Sequence, residues 1–311
     1  MNLQEWQEKR ARLFEGFKRV IGPFPEKAPL NARTISREDK GDYIQEKVVY
    51  ESEPGEEVPA YLLIPKGLKG PAPAVFCHHQ HNAEFQIGKS EVVGMLGNPE
   101  QAYGKELAQR GYIVLAADAL CFEERREDSL DGGAAYERFI ATTLLLQGSC
   151  LQSRNIWDVI RGIDYLTERP EVDEGRIGMV GHSLGGQETI FTAAFEERIK
   201  VVAVSCGFTT YAANIRERLP HNWSLYVPGI LTVGEMYDLA SLIAPRPFFL
   251  AAATKDYWMP VDGVREAVEK IREVYEAYGQ EERFHALFED VPHRFTYTMR
   301  QAAYAWFDRW L

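Results

Sequence analysis

Cysteine is scarce in this chain. Cys77, Cys121, Cys150 and Cys206 are the only four in 311 residues, with no CxxC pair and no Cys/His set at zinc-finger spacing. Neither a disulfide scaffold nor a structural zinc site is expected, and the thiols read as free, buried and kept in a reducing compartment. Long apolar runs are missing too, and nothing approaches the roughly 20 residues that span a bilayer. The start, Met1-Asn2-Leu3-Gln4-Glu5-Trp6, has neither the basic nor the apolar region of a signal peptide. A cytoplasmic protein without membrane contact is the expectation. Blocks of Lys or Arg do not occur, and 35 Lys+Arg face 46 Asp+Glu for a net charge of −11. Nucleic acid is therefore an unsuitable partner, since phosphate binding needs clustered cations. Internal repeats and low-complexity segments are also absent.

What is present suits a packed, enzyme-sized body. The hydrophobic fraction is 45% and the aromatic fraction 12%, enough for one large core or two small ones. After residue 40, short apolar runs alternate with helix-period segments, the pattern of an α/β fold with a mainly parallel sheet and helices on both faces. Residues 43–52 and 58–64 flank Pro54-Gly55 as an antiparallel hairpin at the sheet edge. Buried strands are expected around 74–77, 113–116, 177–180, 201–204, 248–251 and 284–288, giving eight in all. Helices are expected at 3–20, 100–110, 152–168, 184–195, 262–278 and 296–310. Residues 1–40 read as an N-terminal helix and linker packed on the body. Residues 41–311 read as one domain with a small lid or insertion at about 207–244, rich in aromatic residues. The Trp6-bearing helix is a candidate contact between subunits of a homo-oligomer.

The sharpest motif is Gly181-His182-Ser183-Leu184-Gly185-Gly186, between an apolar strand and a helix. A G-x-S-x-G turn there lifts a serine hydroxyl out of the sheet at a helix N-terminus, where the Leu184 N–H can stabilise an oxyanion. The plainer alternative is a glycine-rich turn whose serine caps the next helix. A nucleophilic serine needs a base, and the base an acid, later in the chain. His293 lies in the loop after the last strand, whereas His285 falls inside that strand. Asp256 follows the strand at 248–253. Asp262 is better placed to cap a helix, and Asp290 sits so close to His293 that it reads as a cap or screen.

A second oxyanion donor is expected from the loop His78-His79-Gln80-His81-Asn82, at the Gln80 N–H. The three histidines lack the spacing and companion carboxylate of a zinc motif, so no metal is expected and the loop reads as active-site lining. His79, His81, Trp223, Tyr226 and Trp258 are the candidate substrate contacts. The charged run Asp118 to Arg126 reads as a solvated, ion-paired loop. Asp158 and Asp164 read as structural or solvent-facing.

The elbow, Pro245-Arg246-Pro247 ahead of the strand to Asp256, and the late His293 together resemble the α/β-hydrolase superfamily over residues 45–311. The likeness is to its dienelactone-hydrolase-like and prolyl-oligopeptidase-like esterase branch. That resemblance implies Ser183, Asp256 and His293 as a catalytic triad, Leu184 and Gln80 as oxyanion donors, and no cofactor. Dienelactone hydrolases carry Cys where this chain has Ser183. Peptidases of the branch carry a propeller for which 311 residues leave no room. The expected activity is hydrolysis of small acyl esters. An amidase or peptidase, a perhydrolase, and a non-catalytic hydrolase-fold binding protein are the alternatives on the same residues.

Overall fold

Runs with apolar residues on both faces need a packing layer on each side, and the chain supplies two. The computed structural model describes residues 1–127 and 133–311. Its strands are β1 (Arg33–Asp39), β2 (Tyr43–Glu53), β3 (Glu56–Pro65), β4 (Ala72–His78), β5 (Ile113–Ala117), β6 (Val172–His182), β7 (Ile199–Ser205), β8 (Phe248–Ala253) and β9 (Phe284–Glu289). They form one sheet in the order β1-β2-β3-β5-β4-β6-β7-β8-β9. The β1, β2 and β3 edge is antiparallel, and the strands from β5 to β9 run parallel.

The helices are α1 (Leu3–Ile21), α2 (Lys89–Val92), α3 (Tyr103–Gln109), α4 (Ala134–Leu146), α5 (Leu151–Thr167), α6 (Leu184–Phe195), α7 (Tyr211–Glu217), α8 (Met236–Ser241), α9 (Val261–Tyr278) and α10 (Tyr297–Trp310). Alternation along β4 sorts them into layers. Ala74 and Phe76 face a core with residues of α1, α5, α6, α8 and α9, whereas Val75 and Cys77 face one with residues of α3 and α10. No helix among the described residues is long and apolar enough to cross a membrane.

Two expectations change. The sheet has nine strands rather than eight, because residues 33–39, taken as linker, form β1. Every residue of β1 is exposed, so Arg-Thr-Ile-Ser-Arg-Glu-Asp carries no apolar alternation, and its pairing with β2 supplies the strand. The Trp6 ring itself is also turned inward rather than outward. An Asn2/Glu5 capping box starts α1, and Trp6, Phe17 and Ile21 are buried in the chain's own core.

The insertion at 207–244 holds α7 and α8, and a buried polar network ties it to the body. Glu188 on α6 accepts from Gln152 and Asn155 of α5 and from Ser224 of the insertion. The single Ser224 hydroxyl hydrogen is shared between Glu188 Oε1 at 3.2 Å and Asn222 Oδ1 at 2.6 Å, and Gln187 Nε2 donates to Ser224 Oγ at 2.9 Å. Burial pushes the Glu188 carboxyl from its usual 4.5 up to about 8, against the lowering effect of these three donors.

Two outcomes are expected. Trp6→Ala should lower unfolding free energy by about 3–5 kcal/mol in urea titration, the cost of emptying a large buried aromatic site. Between pH 4.5 and 8 the folded Glu188 binds more protons than the unfolded one, so stability falls as pH rises through that window. Glu188→Gln should shrink the drop in melting temperature between pH 5 and pH 9. An unchanged drop would mean that Glu188 titrates normally.

Candidate active site

Reversal of strand order at β4 places the carboxyl ends of β4 and β6 side by side, where ligands gather in open α/β sheets. Ser183 sits between β6 and α6 at φ 56°, ψ −119°, a left-handed conformation that costs a non-glycine residue energy. Its N–H donates to the Ser205 carbonyl at 2.9 Å. Glycine is required around it by close approach: a Cβ on Gly185 would lie 2.0 Å from the His78 carbonyl oxygen, and one on Gly181 would lie 2.2 Å from the Gly185 backbone. The first N–H of α6, that of Leu184, has no preceding helical carbonyl to receive it.

His293 Nδ1–H donates to Asp256 Oδ2 at 2.6 Å. Asp256 Oδ1 accepts from the Trp258 and Met259 N–H groups at 2.9 and 3.1 Å, so both carboxylate oxygens are engaged and the group is fixed. Asp256 is buried. The competing acids lie elsewhere: Asp262 is exposed and paired with Arg216, and Asp290 is exposed and bound to Thr254 and Lys255. His285 is an exposed β9 residue stacked on Phe249 and Trp306. Ser183 and His293 line one cavity of about 330 Å³, along with Gln80, His81, Trp223 and Trp258.

Behind the cavity the β4 loop is held by its histidines. Ala119 N–H donates to His79 Nε2 at 3.0 Å, which leaves the proton on Nδ1 to be donated to the Gln80 carbonyl at 2.7 Å. The Gln80 N–H has no acceptor among the described residues. Gln80 Nε2 donates to both Glu91 carboxylate oxygens. Burial holds His78 and His79 uncharged, pushing His78 down to about 4.

Three sequence expectations need correction. His79 is buried with both ring nitrogens occupied, so it shapes the loop and does not face the cavity. Tyr226 lines a neighbouring apolar cavity of about 470 Å³, and its hydroxyl accepts from the His221 N–H. The Asp118 to Arg126 run is not a solvated loop. The fully buried Lys89 ammonium pairs with Asp118, Glu123 and Glu124 at 2.6–2.7 Å, and Arg125 pairs with Asp158 at 2.5 Å. Asp164 likewise joins Lys27, Arg161 and Arg198. Burial on both sides makes Lys89–Asp118, Arg125–Asp158 and Arg161–Asp164 structural, since removing one partner would strand a charge.

Two lining residues escaped the sequence reading. His221 belongs to both cavities, its Nε2 is buried without a partner among the described residues, and burial pushes the ring down to about 4. Glu137 on α4 is buried against His81 Nε2 at 3.2 Å. The only sequence signal for His221 is its place in the aromatic insertion. Glu137 offered none, because α4 carries no clear apolar stripe: Phe139, Leu145 and Leu146 are exposed. Two groups of metal-capable side chains occur among the described residues, Cys206/Asp256/His293 and Asp118/Glu123/Glu124. In the first, Asp256 and His293 already satisfy each other, and in the second the Lys89 ammonium occupies the centre.

Residues 27–213 match the acetyl xylan esterase (AXE1) family model, and residues 150–311 match the prolyl oligopeptidase family. YtaP of Bacillus subtilis (strain 168), itself named only provisionally as a hydrolase, is 31% identical over 309 residues, covering 98% of this chain and 99% of its own. Among solved structures, a provisionally titled acetyl xylan esterase of Bacteroides fragilis superposes with TM-score 0.79 at 17% identity, over 93% of this chain and 76% of that one. The glucuronoyl esterase of Solibacter usitatus gives 0.72 at 16% identity, over 99% and 93%. The acetyl xylan esterase of Paenibacillus sp. R4 gives 0.67 at 18%, over 99% and 94%. These likenesses show the α/β-hydrolase fold. With a family model over more than half its length and a relative matched nearly end to end, the chain belongs to the acetyl xylan esterase family of α/β-hydrolases and is a hydrolase of the carboxylesterase type.

Proposed function

We propose that this enzyme is a serine esterase that removes small acyl groups from hydroxylated, carbohydrate-type alcohols through Ser183, His293 and Asp256. The observation that carries the reading is the 2.6 Å bond from His293 to a buried Asp256, in a loop that lines the same cavity as the strained Ser183. The names of the family and its relatives support the carbohydrate side of the ester. The four free, buried cysteines support a reducing compartment such as the cytoplasm.

Hydrolysis proceeds by two acyl transfers. His293 Nε2 removes the Ser183 proton as Oγ attacks the ester carbonyl, and Asp256 fixes the tautomer and stabilises the imidazolium. The Leu184 and Gln80 N–H groups receive the oxyanion, each such donor being worth roughly 10²–10³ in rate. His293 then returns its proton to the departing alcohol. Water activated by the same imidazole releases the acid from Ser183. The aromatic surfaces of Trp223 and Trp258 suit the apolar face of a sugar ring.

With p-nitrophenyl acetate, Ser183→Ala and His293→Ala should each lower kcat by roughly 10⁴-fold or more with an unchanged circular dichroism spectrum. Asp256→Asn should lower it by roughly 10³–10⁴-fold, because the asparagine amide would favour the wrong imidazole tautomer. Substantial activity in Ser183→Ala would sink the mechanism.

A further inference from the structure

The cavity around Ser183 carries a fixed negative charge that its mechanism does not use. Glu137 is buried, 5% exposed, yet lines the cavity together with Ser183 and His293. Its hydrogen-bond partner is His81, whose Nε2 lies 3.2 Å from Oε1. The Ala83 N–H donates to His81 Nδ1 at 3.0 Å, so the ring hydrogen sits on Nε2 and the imidazole is a neutral donor to the carboxylate. T-shaped contacts with Phe85 and Phe122, at centroid distances of 5.0 and 5.1 Å, hold the ring in that orientation.

No Lys or Arg lines the cavity among the described residues. The ionisable groups that face it are Glu137 and the imidazoles of His81, His221 and His293. His221 is kept uncharged by burial. A carboxylate is acceptor-only. In a recess walled by protein its field reaches a bound ligand with less screening than at an open surface.

We propose that Glu137, oriented by His81, is a charge-selecting subsite of the active-site cavity: it takes the neutral or cationic, hydrogen-bond-donating part of the ester and rejects esters that carry a negative charge. This rests on the esterase reading above and adds to it which esters are admitted. The same charge also acts on the product. Hydrolysis converts a neutral ester into a carboxylate, which Glu137 repels as soon as the acyl-enzyme is released, so the acid leaves without competing for the cavity. Two unit charges roughly 7 Å apart differ in interaction by about 3-fold in a water-like medium and about 50-fold in a partly buried one. Discrimination in that range is expected.

The test compares isosteric pairs at pH 8. On the acyl side these are p-nitrophenyl pentanoate and the mono-p-nitrophenyl ester of glutaric acid; on the alcohol side, 4-acetoxybenzamide and 4-acetoxybenzoate. The readout is the ratio of kcat/KM for the anionic member to that for the neutral member, taken within each enzyme so that losses in folding cancel. Glu137→Gln keeps an acceptor for His81 and removes the charge. It should raise the ratio between about 3- and 50-fold in at least one pair, while Glu137→Asp keeps it near the original. In the unaltered enzyme, raising sodium chloride from 20 to 500 mM should raise the same ratio, which needs no variant. Ratios that are unmoved by Glu137→Gln in both pairs overturn the proposal. If the unaltered enzyme turns over neither neutral ester, the esterase reading itself fails, and the proposal with it.

Discussion

The close approach of two backbones governs this molecule. The turn that carries Ser183 packs its glycines against neighbouring main chain: Gly185 against the His78 carbonyl at the end of β4, Gly181 against Gly185, and Gly186 against Gly207 after β7. Without side chains at those positions, β4, β6 and β7 can converge at the point where strand order reverses. The serine is thereby held at positive φ, a strain that persists because three strands over-determine it. The helix that follows starts with its free N–H groups aimed at the same spot.

Buried charge holds the remaining walls. Lys89 draws Asp118, Glu123 and Glu124 together, and the loop they anchor presents the Ala119 N–H to His79. His79 in turn fixes the Gln80 carbonyl, which orients the peptide of the loop that lines the cavity. Such pairs add little net stability over apolar packing, because desolvation offsets attraction. Their value here is geometric, since a charge stranded by any other arrangement would be costly. Glu188 acts similarly for the insertion, fastening Ser224 and, through it, Asn222 to the helix that follows Ser183.

The cavity that results is lined by Ser183 and His293 together with Glu137 and His81. Its polar lining is nearly all neutral or anionic. An enzyme whose product is an anion gains from that sign, because ground-state attraction to the acid would slow turnover. Three imidazoles close by, His78, His79 and His182, are held uncharged by burial, so they add no positive field to oppose it.

Much of the fold was legible from the chain alone because strands buried on both faces are nearly all apolar, and β4 to β8 read that way. So was the turn that holds Ser183, since a serine flanked by glycines between a strand and a helix is a distinctive pattern, and so was the placement of His293 in the loop after the last strand; the two line one cavity. The exposed strand β1 was not legible, because its residues carry no alternation and only the ladder with β2 makes it a strand. Sequence alone preferred Asp256 to Asp262 and Asp290 only by its place after a strand, and the folded chain puts Asp256 2.6 Å from His293 and the other two at exposed ion pairs. His79, Tyr226 and the Asp118 loop were misjudged for one reason: composition tells what a side chain can do, while burial and the partner across the fold decide whether it faces water, substrate or another charge. Sequence thus determined the strand order's raw material and the placing of Ser183 and His293 in the segments that follow β6 and β9. Tertiary contact, acting between residues as far apart as 81 and 137 or 89 and 118, decided which groups line the cavity and what charge it presents.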